Sequence, residues 1–146
     1  MKEAFGGTFM LKLFMVFFII YVTFIFIALN FAKHYRIKNY VINYLEQNRY
    51  ELGQNLENSD LASYLDNVPY TFDNDIAGDK CKQTAGANEY DSFKGVCIIQ
   101  YGQKVDGIRK EPYYKVIVYF GAVFPWLNIN ITIPISGETT VIRQPV

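Results

Sequence analysis

Leu13 to Phe31 reads LFMVFFIIYVTFIFIALNF, a run without a single charged residue. As a helix it is roughly 28 Å long, close to the hydrocarbon thickness of a bilayer. Fourteen of its residues are Leu, Ile, Val or Phe. At about −0.3 to −0.6 kcal/mol each, their insertion gains roughly 4 to 8 kcal/mol before penalties. Phe9 to Leu11 extend the run, and Lys12 is the one interruption. A lysine near the end of such a helix snorkels to the headgroups. A cleaved secretory signal has an apolar region of about 7 to 15 residues and a small-x-small site. This run is longer, and Asn30-Phe31-Ala32 is a poor site. A retained transmembrane helix over 9–31 is the expectation.

Helical spacing continues past the run. Ile37, Tyr40, Val41, Tyr44 and Leu45 fall at i, i+3, i+4, i+7 positions, and Leu52 extends the series. Lys38, Asn39, Asn43, Glu46 and Gln47 fill the polar positions between them. No Pro or Gly stands between Thr8 and Gly53, so the spacing predicts one helix of more than forty residues. It is apolar all round first and amphipathic afterwards. Tyr35 suits the aromatic belt of a membrane interface, while Tyr40 and Tyr44 suit helix-to-sheet packing.

Asn58-Ser59-Asp60 offers an N-cap for a short helix through Leu61 to Leu65, and Val68-Pro69 closes it. Asp73 to Asn88 reads as a polar, Gly-containing loop. Val96 to Tyr101 and Tyr113 to Phe120 are β-prone, and Gly102 to Pro112 between them predicts a hairpin with a long exposed tip. Gly121 to Pro125 reads as a turn. Leu127, Ile129, Ile131, Ile133 and Ile135 then alternate with polar residues and Pro134, a strand with one apolar face. Pro134 belongs on an edge or a bulge. Thr139 to Arg143 is a last β-prone run. The expected fold is α+β: a long N-terminal helix packed on a small antiparallel sheet with one greasy face. The expected division is a short leader or tail over 1–8, the membrane helix over 9–31, and an extracytoplasmic domain over 32–146.

The chain has 146 residues, enough for one small domain and an appendage. Lys+Arg and Asp+Glu are both 14, so no basic surplus exists for nucleic-acid binding by bulk charge. With 51% hydrophobic and 19% charged residues, the chain is not intrinsically disordered. One His and two Cys leave little room for a histidine-based triad or a zinc site. His34, between Lys33 and Arg36, reads as an interfacial polar residue. Asp73 to Asp79 is similar to the start of a calcium loop, but Ala77 stands where an oxygen ligand is needed and Thr84 where the bidentate Glu belongs. Asn130-Ile131-Thr132 matches a glycosylation sequon on a strand, a poor acceptor. No nucleophile elbow, phosphate loop, dinucleotide fingerprint or zinc-protease motif is present. The expectation is a protein that is not an enzyme and carries no metal or cofactor.

Cys81 and Cys97 flank a loop of about 17 residues, and joining them stabilises a fold by roughly 3 kcal/mol in the chain-entropy model. The alternative is two unrelated thiols, with Cys97 buried in its strand. A bond implies an oxidising compartment and a domain outside the cytoplasm. The charges lean the other way: Lys2 and Lys12 precede the apolar run, and Lys33, Arg36 and Lys38 follow it. That difference is one residue, and the cysteines outweigh it.

A hydrophobic N-terminal helix that becomes amphipathic and meets a small antiparallel sheet resembles the type IV pilin plan. More narrowly, the chain resembles the TadE-like minor pseudopilins of the tight-adherence pilus system. Gly6-Gly7-Thr8 ahead of the Phe-rich run carries part of the likeness, and YYKVIVYFGAVFPWLNINITIPISGETTVIR, Tyr113 to Arg143, carries the rest. The resemblance implies a non-enzymatic component of pilus assembly, cut after Gly7 so that Thr8 becomes the N-terminus. Its partners are the lipid bilayer and other pilin-like subunits or membrane assembly proteins. The family pattern has Glu five residues into the mature chain, and here Lys12 stands there. Lys12 is thus expected to set a contact with a different subunit, since it repels a neighbouring N-terminal amine. The other reading is an anchored accessory or binding subunit of a secretion or envelope complex.

Overall fold

The computed structural model describes residues 2–57, 59–68, 74–105, 108–124 and 129–142. The chain divides into two compact units, Met1–Lys33 and His34–Val146. A single helix, α1, covers Lys2–Gln47, so the run of more than forty helical residues is present. In the first unit the large apolar side chains from Phe9 to Phe31 are all exposed. This is one helix long and apolar enough to cross a membrane. Two of its polar residues bond back to the helix itself. Thr23 Oγ1 donates to the Ile19 carbonyl and Asn30 Nδ2 to that of Phe26, each at 2.8 Å. Such back-bonding lowers the cost of taking a hydroxyl or an amide into hydrocarbon.

The second unit is built on four antiparallel strands in the order β1-β2-β3-β4: Tyr90–Phe93, Val96–Val105, Ile108–Phe124 and Ile129–Glu138. One face of the sheet meets α1. Ile37, Val41 and Leu45 are buried there with Val96, Ile98, Val116 and Val118. The short helix α2, Asp60–Asn67, adds Leu61 and Leu65 to the same core. Ser59 caps it as expected, its Oγ accepting from the Ala62 N–H at 3.2 Å. Asn58, Pro69 and Asp73 lie outside the described residues.

The sheet does not have one greasy face. Its other side is covered by a third helix, α3, over Asn74–Ala85, where the sequence reads as a polar loop. Ala77, Cys81 and Ala85 recur at intervals of four, form a narrow apolar stripe, and are buried against Cys97, Ile99, Ile117 and Tyr119. The stripe is made of small side chains, so average polarity hides it. The matching signal is in β2 and β3. VCII and VIVYF are continuous apolar runs, which is how a strand buried on both faces reads.

Three connections differ from expectation. β1 enters through a two-residue turn, Lys94 and Gly95, both at positive φ (45° and 79°). That is the backbone a tight antiparallel hairpin needs. The β2–β3 hairpin has no long tip within 102–112: pairing runs on to Val105 with Ile108, past a bulge at Gly102. Gly107 itself lies outside the described residues. Gly121 to Phe124 continue β3 instead of turning, and Pro125 to Asn128 lie outside the described residues. Pro134 does sit on the edge strand, β4.

Thr139 to Ile142 form no regular strand but still follow β3. The Thr139 N–H donates to the Tyr114 carbonyl, and the Tyr114 N–H donates to Thr139 Oγ1, each at 2.9 Å. The hydroxyl stands in for a ladder carbonyl, and this irregularity ends the strand. Ile142 N–H then donates to the Pro112 carbonyl at 2.9 Å. Arg143 lies outside the described residues.

Candidate functional site

The cysteines are joined. Cys81 on α3 and Cys97 on β2 form a disulfide with Cα atoms 5.5 Å apart, and both residues are fully buried. The bond fastens α3 to the sheet in the middle of the second core. It is a staple and not an exposed thiol pair.

The segment resembling a calcium loop is helical from Asn74, so its backbone does not have the loop form such a site needs. Among the described residues no group of three His, Cys, Asp or Glu is placed to hold a metal ion. His34 is buried at 4% exposure and its ring stacks on Phe120, centroids 4.1 Å apart. It is a packed core histidine of the second unit, not an exposed interfacial residue.

Gly7, Thr8 and Lys12 all lie within α1 and are exposed. A Cβ added at Gly7 would meet nothing within 4 Å. Tyr40 packs on α2 and not on the sheet, its ring stacked on Tyr64 with centroids 3.8 Å apart. Tyr44 is half-buried against the α1-side core.

Lys38 departs most from the sequence reading. It falls on a polar position of the helical pattern, yet it is 6% exposed. Its Nζ lies over the Tyr35 ring, 4.0 Å from the centroid. The side chain is pinched against β4 at Gly137, where an added Cβ would come within 2.9 Å of Lys38 Cδ and 2.8 Å of Ile42 Cδ1. Glycine at 137 is what lets α1 approach β4 so closely. No sequence signal announces this, because the two residues are 99 positions apart.

Two more polar features lie away from Lys38. The Tyr50 phenol donates to the Asp91 carboxylate at 2.9 Å. Burial first, and then the negative charge of Asp91, push its pKa far above the ordinary phenol range. On the α3 side, a groove of about 380 Å³ opens between Lys80 and Thr84 on α3 and Lys115, Tyr119, Pro134 and Ser136 on β3 and β4. Thr84 and Tyr119 hydroxyls meet across its floor at 3.3 Å.

Set beside protein-family models, curated proteins and solved structures, the chain matches none of them. The α+β fold and its membrane-capable helix therefore stand on the residues themselves.

Proposed function

We propose that this chain is a non-enzymatic, single-pass membrane protein acting as a minor-pseudopilin-like component of pilus biogenesis or assembly, with its C-terminal domain outside the cytoplasm. The observation that carries the reading is α1. One helix of 46 residues begins apolar on every side and ends by packing on an antiparallel sheet. Gly6-Gly7-Thr8 ahead of the apolar run supports the pilin-like assignment. The buried Cys81–Cys97 bond supports an oxidising compartment for the domain. On this reading Gly7 and Thr8 flank the processing site, and the partners are the lipid bilayer and other pilin-like subunits or membrane assembly proteins.

Lys12 favours a second reading, an anchored accessory or binding subunit of a secretion or envelope complex. On this reading Lys12 meets a carboxylate on a partner subunit instead of the N-terminal amine of a neighbour.

N-terminal sequencing of the membrane-bound protein separates the two. A chain beginning at Thr8 supports the pseudopilin, and a chain still carrying Gly6-Gly7 moves the assignment to the accessory subunit. Recovery of the full-length protein from the aqueous fraction without detergent ends both. Lys12→Ala is expected to lose at least one partner in a membrane pull-down. Unchanged recovery of every partner removes the heteromeric role of Lys12.

A further inference from the structure

Lys38 is 6% exposed, and its Nζ lies between the Tyr35 ring and Gly137. Among the described residues it meets one electron-rich partner, the face of Tyr35, and no carboxylate pairs with it. A cation–π contact returns only part of what burying an ammonium costs. Packing alone does not call for the charge either, since an apolar side chain of similar length fills the same slot against Ile42 and Gly137.

Three observations say what the missing anion is. First, side chains on a helix lean toward its N-terminal end, and Lys38 does so, reaching back to Tyr35 three residues earlier. Second, Tyr35 follows the last residue of the apolar run, Phe31, by four positions in sequence, where tyrosines mark the headgroup layer. Third, the chain has no Asp or Glu from Ala4 through Leu45, while Lys12, Lys33, Arg36 and Lys38 all fall in that stretch. Carboxylates are missing from the part of α1 that a headgroup layer would bathe, and phosphate is the anion abundant there.

We propose that Lys38 is the receptor for the phosphate of an anionic phospholipid, with the Tyr35 ring as its cover. Tyr35 is 48% exposed, so its ring is free to turn aside on the timescale of surface rotamers and admit a phosphate oxygen to Nζ. Gly137 leaves the room Nζ occupies beside β4, since a Cβ there would lie 3.0 Å from it. The site needs a membrane-inserted stem but no pilus, so its failure leaves the proposed function standing.

The full chain is reconstituted in nanodiscs of phosphatidylcholine alone, of phosphatidylcholine with phosphatidylglycerol, and of phosphatidylcholine with added inorganic phosphate. The melting temperature of the domain is expected to rise by several degrees with phosphatidylglycerol. That rise is expected to vanish in Lys38→Met and to persist in Lys33→Gln. An equal rise in wild type and Lys38→Met overturns the proposal, because it reports only surface charge. An equal rise with inorganic phosphate assigns the site to a free anion and also overturns it. Should Lys38→Met not fold, solid-state NMR on the wild type decides. Lipid ³¹P within contact range of a ¹⁵Nζ signal that disappears in Lys38→Arg supports the site. A ¹⁵Nζ signal of Lys38 that meets a carboxylate of a co-purified protein, and no phosphorus, overturns it.

Discussion

The Tyr50 hydroxyl donates a 2.9 Å hydrogen bond to the Asp91 carboxylate, 41 residues further along the chain. The bond ties the segment that follows α1 to the short edge strand β1. The Tyr50 ring also meets Tyr114 edge-on, centroids 5.4 Å apart, at the centre of the α1-side core.

Tyr50→Phe keeps the ring and deletes the donor. It is expected to destabilise the domain by about 1 to 3 kcal/mol, because the half-buried Asp91 carboxylate loses its partner. Chemical denaturation of the two proteins checks this.

The same residue sets an alkaline limit. The folded phenol has its pKa raised, by burial first and by Asp91 second. Above about pH 10 the unfolded chain releases the Tyr50 proton while the folded chain keeps it. The unfolded state then binds fewer protons, so stability is complete below about pH 10 and falls as pH rises further. Denaturation midpoints measured from pH 8 upward are expected to fall more steeply for wild type than for Tyr50→Phe. Parallel slopes refute the assignment.

Cys81 and Cys97 are separated by 16 positions and join two elements that share a small core. Reduction, or replacement of both by Ala, is expected to cost about 3 kcal/mol. Hydrogen exchange is expected to quicken first in α3, whose apolar stripe is only three residues long, and not in α1. Uniform quickening over all elements counts against α3 as the weakly held layer.

Gly137→Ala places a methyl group within 3 Å of Ile42 and Lys38 side-chain carbons. The expected loss is about 1 to 3 kcal/mol from overpacking. Shortening the neighbour relieves it, so Lys38→Ala combined with Gly137→Ala is expected to cost less than the two singles added. Strict additivity in that double-mutant cycle would show that Lys38 and Gly137 do not touch.

Ala77→Leu tests the stripe itself. Ala77 is fully buried where α3 lies on the sheet, so a larger side chain lifts the helix by overfilling the layer. A loss of about 1 to 3 kcal/mol is expected, against little change for the exposed Lys82→Leu on the same helix.

Elements with a strong period were legible. The long helix and the alternation in β4 follow from side-chain spacing, and the Ser59 cap from a hydroxyl placed to accept a free helix N–H. α3 was not, because Ala and Cys at intervals of four bury a face without looking hydrophobic. β1 was missed because Tyr90-Asp91-Ser92-Phe93 is too short to show a period. Its clue was the Lys94-Gly95 pair, whose positive φ closes a two-residue hairpin. The disulfide was legible as a possibility only, since two cysteines do not fix their own distance.

By itself the sequence determined that an uninterrupted apolar helix leads into an amphipathic one, and that an antiparallel sheet follows. Those properties are local: they depend on residues within a few turns of one another and on how each partitions between water and an apolar phase. Only the tertiary structure decided that the sheet is covered on both faces, that Cys81 meets Cys97, and that Lys38 is buried beside Gly137. Each of these joins positions far apart in the chain, and their spacing is set by how closely packed layers approach, which no single segment specifies.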